Sequence, residues 1–349
     1  MADSLDTDKV SASYRARSIR LEDKKLLVSN FRNTGQAEDL TKPPNCEGFG
    51  RVRHFRRESD PAWVPNPLPI DPASRALGLQ AGELLHAQVF QNAACNWRCW
   101  YCFVPFNMLD ASTERASWMT AGELVDLYLA EQDRPAMIDL TGGQPELIPE
   151  WVPWTMSALR DRGMEGKVYL WSDDNLSIDY FWSVLSEQER ELVATFQGYG
   201  RVGCFKGFDA ASFAFNTKAA PDLFDRQFDL MRRYLATGID LYAYTTFTAP
   251  SADGIEDAMT RFVDRLQELH PNLPLRTVPL KIGAFKVVKN RLVLLTDDAE
   301  FYGAVEHQKR AIEAWKKELD ARFTSEQRAL AITDVSLRSA GHSLSNEKV

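Results

Sequence analysis

Cys95, Cys99 and Cys102 fall within the run Cys95-Asn96-Trp97-Arg98-Cys99-Trp100-Tyr101-Cys102. Three thiolates spaced C-x3-C-x2-C on one short loop can wrap three corners of a cubic iron–sulfur cluster. With no fourth cysteine nearby, the fourth iron is open to a non-protein ligand. Zinc is the competing metal, but a structural zinc takes four protein ligands, and a Cys3His set would have to recruit one of only five histidines. Three unrelated buried cysteines are the remaining alternative. Cys46 and Cys204 stand alone in sequence. Cys46 has no neighbouring thiol, so a single cluster is expected. Five cysteines in 349 residues do not make a disulfide framework.

A second motif, Leu140-Thr141-Gly142-Gly143-Gln144-Pro145-Glu146, follows a short apolar segment. Paired glycines let a backbone approach a ligand closely. The cysteine spacing, the aromatic Tyr101 just before the third cysteine, and this turn together resemble the radical S-adenosylmethionine (SAM) superfamily. The turn is similar to that family's G-G-E-P motif, with Gln144 in place of Glu. The resemblance covers roughly residues 84–283. It implies an α/β fold, a partial (β/α)6 barrel with one 4Fe–4S cluster on Cys95, Cys99 and Cys102 at the C-terminal mouth of the strands, the usual site in such barrels. It implies SAM as cofactor, with the turn Gly142, Gly143, Gln144 and Pro145 holding the methionyl amino group and Tyr101 close by. Gln144 retains an acceptor oxygen and lacks the carboxylate charge. The implied reaction is one-electron cleavage of SAM, fed by a donor such as flavodoxin or ferredoxin. The resulting 5′-deoxyadenosyl radical takes a hydrogen atom from the substrate.

Other residues narrow the chemistry. Strand alternation in Arg201–Lys206 puts Val202, Cys204 and Lys206 on one face. The segment resembles the fourth strand of glycyl-radical-enzyme activases, whose D-x-K motif is matched at Lys206 and replaced at Cys204. Lys206 is a candidate for the SAM carboxylate. Cys204 either packs as a small apolar residue or donates a hydrogen atom to a substrate radical, as such a cysteine does in the superfamily's epimerases. Ser172 and Asp173, at the end of the third strand, are candidates for the SAM ribose or the substrate, or serve as loop and cap residues. Tyr242, Tyr244 and Thr246 share one strand face, and Lys281 ends the sixth strand. The leading expectation is a radical SAM enzyme acting on a polar small molecule, a sugar or nucleoside in antibiotic biosynthesis. Antibiotic-sugar members such as an oligosaccharide epimerase and a cytosylglucuronate decarboxylase have a similar single-cluster layout. Epimerisation is favoured because it uses Cys204. Decarboxylation would need a cation for a carboxylate, which Arg51, Arg53 or Lys206 could supply, and dehydrogenation is a third outcome. The alternative is an activase that makes a glycyl radical on a partner enzyme.

The elements that must position these residues follow from periodicity. From residue 84 on, strand and helix patterns alternate nearly six times, which argues for a parallel sheet with helices outside. Thr120 with Glu123 forms a capping-box signature. Residues 1–83 read as an irregular extension covering the barrel, with the basic run Arg51–Arg57 as a solvated loop or an anion contact. Residues 61–72 read as a Pro-rich connector. The barrel is assigned to residues 84–283. Residues 284–349 read as a hairpin turning at Lys289-Asn290, a charged helix from Ala299 to Phe323, and a frayed end at Ser343–Val349. Glu187, Glu189 and Glu191 read as a solvated helix face. The composition, 44% hydrophobic and 26% charged, is that of a folded globular chain. A net charge of −8 disfavours nucleic-acid and anionic-membrane partners. No apolar run approaches the ~20 residues of a membrane span. The start carries no signal-peptide pattern, so a cytoplasmic location is expected.

Overall fold

The computed structural model describes all residues except 1–3, 41, 60–63, 284, 296–297 and 338–349. The expected frayed end at 343–349 and the first residues of the Pro-rich connector therefore lie outside the described residues.

Ten strands occur among the described residues: β1 (Ile19–Arg20), β2 (Lys25–Ser29), β3 (Gly50–Arg56), β4 (Leu84–Phe90), β5 (Ala116–Thr120), β6 (Met137–Leu140), β7 (Tyr169–Asp174), β8 (Tyr199–Phe205), β9 (Asp240–Thr246) and β10 (Thr277–Leu280). Seven form one sheet in the order β10-β9-β8-β7-β6-β4-β3, and β1, β2 and β5 form a small second sheet. The run β4 to β10 in the large sheet is parallel throughout, and β3 pairs antiparallel with β4. Helices Ala121–Ala130, Trp151–Asp161, Glu187–Thr195, Leu223–Leu235 and Ile255–Leu269 fill the successive crossovers. This is a curled partial (β/α)6 barrel extended by one antiparallel strand. The capping box at Thr120 and Glu123 starts the first of these helices.

Side-chain alternation divides the core in two. Leu170, Phe205, Leu241 and Ala243 face the helices. Tyr169, Trp171, Val202, Cys204, Tyr242 and Tyr244 face the concave side and pack with Phe55 and Met137. The concave layer is rich in aromatics and polar groups, so the parallel strands do not read as uniformly aliphatic.

Two expectations need correction. Residues 1–83 are not an irregular cover throughout. Asp6 caps a helix at Thr7–Ser18, and the basic run becomes the edge strand β3. The connector ends in a helix at Ile70–Leu77. The expected hairpin at 285–295 is a helix, Lys286–Leu295, followed by Asp298–Arg322. Val288, fully buried, packs with Trp100, Tyr101, Ile282 and Ala304. Tertiary docking of this kind overrides the weak strand preference of valine.

Candidate active site

The loop after β4 carries the three cysteines, and the turn after β6 carries the two glycines. Asn92 joins them. Its Oδ1 accepts from the Ala94 N–H at 2.5 Å, and its Nδ2 donates to the Gln144 carbonyl at 2.7 Å. The Gln144 N–H returns a bond to the Ala94 carbonyl at 2.7 Å. Gly142 and Gly143 sit at φ of +75° and +66°. A Cβ on Gly143 would stand 2.5 Å from the carbonyl oxygens of both Ala94 and Asn92. Only glycine permits this close approach of the turn to the cysteine loop.

The helix Thr7–Ser18 braces the loop from outside. Trp97 Nε1 donates to Thr7 Oγ1 at 3.0 Å, Asn96 Nδ2 to Ser11 Oγ at 2.9 Å, and Arg98 Nη2 to Tyr14 Oη at 2.6 Å. From the other side Arg291 donates to the Trp100 and Val104 carbonyls at 2.7 and 3.0 Å. Fixing a loop of this length by side chains from two distant segments offsets its ordering entropy.

Cys95, Cys99 and Cys102 are half-buried and line one cavity of about 240 Å³ together with Gly142, Gly143, Gln144, Asp173, Cys204 and Lys206. It opens at the C-terminal ends of the parallel strands, where ligands bind in sheets of this kind. Burial pushes the Cys99 thiol up to about 12 and raises Cys95, and the neighbouring thiols add to both effects. Among the described residues no three His, Cys, Asp or Glu side chains form a group suited to a single metal ion.

Other candidates divide between cavity and core. Tyr101 lines the cavity, its hydroxyl 2.9 Å from Thr246 Oγ1. Lys206 is half-buried. Burial opposes its charge, but Tyr101, Cys204, Cys99 and Asp173 around it hold the ammonium well above its ordinary value. Cys204 is 6% exposed, and burial pushes its thiol up to about 12. Asp173 lines the cavity and accepts from Thr141 Oγ1 at 2.5 Å and Trp171 Nε1 at 3.1 Å. Tyr244 reaches the cavity and donates to Asn66 Oδ1. Lys281 lies exposed at its rim. Tyr242 lies deeper, its hydroxyl on Asp240 at 2.8 Å.

Three placements differ from expectation. Ser172 turns away from the cavity to the helix side, sharing a hydrogen bond of 2.7 Å with the Tyr199 hydroxyl. Pro145 stands behind the turn as the first residue of a 3-10 turn, Pro145–Leu147. Gln144 is 1% exposed, and its amide oxygen accepts from Asn175 N–H at 3.0 Å while its Nε2 donates to Asp174 at 2.8 Å. Its side chain is thus committed to locking the end of β7. Cys46 is buried outside the cavity lining, its N–H donating to Glu131 at 2.8 Å.

Behind the turn, Arg201 and Glu146 form a buried pair at 2.7 Å, both 1% exposed. Tyr199 and Tyr234 hydroxyls accept from the same guanidinium. Breaking such a pair costs about 3–5 kcal/mol, so the network anchors the glycine turn against β8.

The basic run on β3 places Arg51 and Arg53 in the cavity wall. Arg53 Nη1 donates to Asp139 Oδ2 at 3.0 Å, and Asp139 Oδ1 is buried without a partner. Burial, then Asp173, raise the Asp139 carboxyl to about 7 against the pull of Arg53 and Arg51. Asn92, Asn66 and Asp139 hold the cavity's surroundings by hydrogen bonds and are positions that sequence reasoning missed. For Asp139 a signal existed: a lone acid in the apolar segment Met137-Ile138-Asp139-Leu140. For the two asparagines none did.

No protein-family model matches the chain, and no curated protein matches it. Among solved structures it is similar to Streptococcus suis SuiB bound to S-adenosylmethionine, at 15% identity and a TM-score of 0.36, over 51% of this chain and 36% of that one. It is similar to SuiB bound to the precursor peptide SuiA at 13% identity and a TM-score of 0.36, over 61% and 52%. It is also similar to histidine-tagged anSMEcpe with bound AdoMet at 12% identity and a TM-score of 0.33, over 56% and 50%. The chain thus spans about a third to a half of the length of these proteins. Likeness at this level carries nothing about the chemistry of the present chain, which rests on its own residues.

Proposed function

We propose that the chain is a radical SAM enzyme that takes a hydrogen atom from a polar small molecule, a sugar or nucleoside in antibiotic biosynthesis. One observation carries the reading: three loop cysteines, a two-glycine turn and Cys204 line a single cavity at the C-terminal mouth of a partial (β/α)6 barrel. The residues fit a 4Fe–4S cluster. Its thiolate ligands bind three different irons, so they share a wall without converging on one point. Cys95, Cys99 and Cys102 would hold it. The Gly142–Gly143 backbone would receive the SAM ammonium and Lys206 its carboxylate. The chemistry supplied by these groups when bound is one-electron cleavage of SAM to a 5′-deoxyadenosyl radical that abstracts the hydrogen atom.

The protein's own part is to orient the substrate, exclude water and return hydrogen. Cys204 keeps its S–H bond at neutral pH, since burial holds the thiol up to about 12. In epimerisation the S–H bond breaks homolytically and its hydrogen forms the new C–H bond on the opposite face. The thiyl left on Sγ regains one electron, from a flavodoxin- or ferredoxin-type donor, and one proton from solvent. Decarboxylation is the second reading, favoured by the buried Arg51 in the cavity wall. The test is a screen of sugars and nucleosides for stimulated 5′-deoxyadenosine release by the reconstituted protein. Stimulation by a compound that is recovered as its epimer supports the reading. Release unaffected by any of them, with a partner protein's glycine radical formed instead, would replace it by an activase.

A further inference from the structure

We propose that Arg51 anchors an anion subsite in the cavity wall that takes a carboxylate or phosphate carried by the substrate. The inference rests on the reading of this cavity as the reaction chamber. Arg51 is 4% exposed and still lines the cavity. Its Nε and Nη2 are buried without a hydrogen-bond acceptor. Among the described residues the other deeply buried arginines are committed: Arg201 to Glu146, and Arg276 to Asp240 and the Val335 carbonyl. Arg53, two residues along the same strand face, is committed to Asp139. The rings of Phe103 and Phe31 lie 5.0 and 5.8 Å from the Arg51 guanidinium carbon and hold its position.

The surroundings leave an acceptor wanting. Asp173 accepts from Thr141 and Trp171 and Asp139 from Arg53, and neither carboxylate forms a hydrogen bond or ion pair with Arg51. Burial, then repulsion from Arg53, pull the Arg51 guanidinium down to about 9. A guanidinium does not give up its proton inside a protein, and the two unpartnered nitrogens leave this buried cation able to take an anion. Its planar fork matches a carboxylate or phosphate bidentately. Lys206 lines the same cavity as Cys95, Cys99 and Cys102, and Arg291 donates to the Cys99, Trp100 and Val104 carbonyls. Arg291 is thereby committed to backbone carbonyls, and Lys206 is the cation assigned above to the single carboxylate of SAM. Arg51 remains for a second anion, and the substrate must bring it.

The test is the Nε–H resonance of Arg51 in full-length protein labelled with ¹⁵N-arginine, assigned by its loss in Arg51→Lys. Acetate and inorganic phosphate are titrated at constant ionic strength. Both should move the signal saturably, and the same anions should leave the other arginine Nε–H signals in place. Tighter saturation by acetate assigns a substrate carboxylate, and tighter saturation by phosphate assigns a phosphate ester. No saturable shift with either anion would overturn the proposal. So would SAM alone shifting the signal and blocking acetate, since Arg51 would then serve the cofactor. Iron content and SAM cleavage, measured separately on the same protein, report on the reaction-chamber reading, so the two failures are distinguishable.

Discussion

Asp139→Asn should change how stability depends on pH, and the structure sets the size of the effect. Asp139 is fully buried on β6, one oxygen on Arg53 and the other without a partner. Its carboxyl is raised from 3.8 to about 7, first by burial and then by Asp173. The sign follows from linkage. In the unfolded chain the group ionises near its ordinary value; in the fold it keeps its proton until about pH 7. Its contribution is full below the unfolded value and is lost as pH rises through the folded one. The whole loss is about 4 kcal/mol at about 1.36 kcal/mol per pH unit. About 2 kcal/mol of it falls between about pH 5.5 and about pH 8. Asparagine keeps an acceptor for Arg53 and cannot titrate. It shifts stability by a constant, set by its own hydrogen bond to Arg53, but it removes this slope. The assay is urea unfolding of both proteins across that pH range, comparing the difference between them. Wild type should lose about 2 kcal/mol more than the variant. Equal slopes would refute the reasoning and place an ionised carboxylate beside Arg53 throughout.

Gly143→Ala should destabilise the protein by about 2–3 kcal/mol, since its Cβ meets two carbonyl oxygens at 2.5 Å with φ at +66°; a wild-type urea midpoint would contradict the close docking of turn and loop. Lys206→Ala should weaken SAM binding about tenfold, roughly 1.4 kcal/mol, with iron content unchanged, and equal affinity by calorimetry would remove Lys206 from the cofactor site. Cys204→Ala should still cleave SAM and consume substrate but lose the inverted product. In D2O the wild-type product should carry one deuterium at the inverted carbon, delivered by the exchangeable thiol. Normal inversion by the variant would dismiss Cys204 as the donor.

The parallel strands were legible because each is a short apolar run between a turn signal and a helical pattern. The helix Ile255–Leu269 lies between Gly254 and Pro271, two breakers readable in the sequence. The cysteine loop and glycine turn were legible as motifs, and their juxtaposition follows from lying after adjacent parallel strands. What was hidden had no local signature. The helix Thr7–Ser18 buries little beyond Thr7, Ser11 and Ser18, and is held by hydrogen bonds to Asn96 and Trp97. Its apolar periodicity is therefore absent. The strand β3 turns arginines inward, the reverse of the usual alternation, because the barrel interior is polar at its mouth. Val287 and Val288 looked like strand residues and are helical, Val288 packing on Trp100 and Tyr101 of the cysteine loop. The Gln144 substitution read as a weakened ligand, whereas its amide serves the end of β7.

The most direct test of the central claim is 5′-deoxyadenosine release. Protein reconstituted with iron and sulfide without oxygen is mixed with SAM and dithionite, and wild type is compared with Cys99→Ala. The account predicts about four irons per chain and release by wild type, with both lost in the variant. Full iron retention and unchanged release by Cys99→Ala would contradict it.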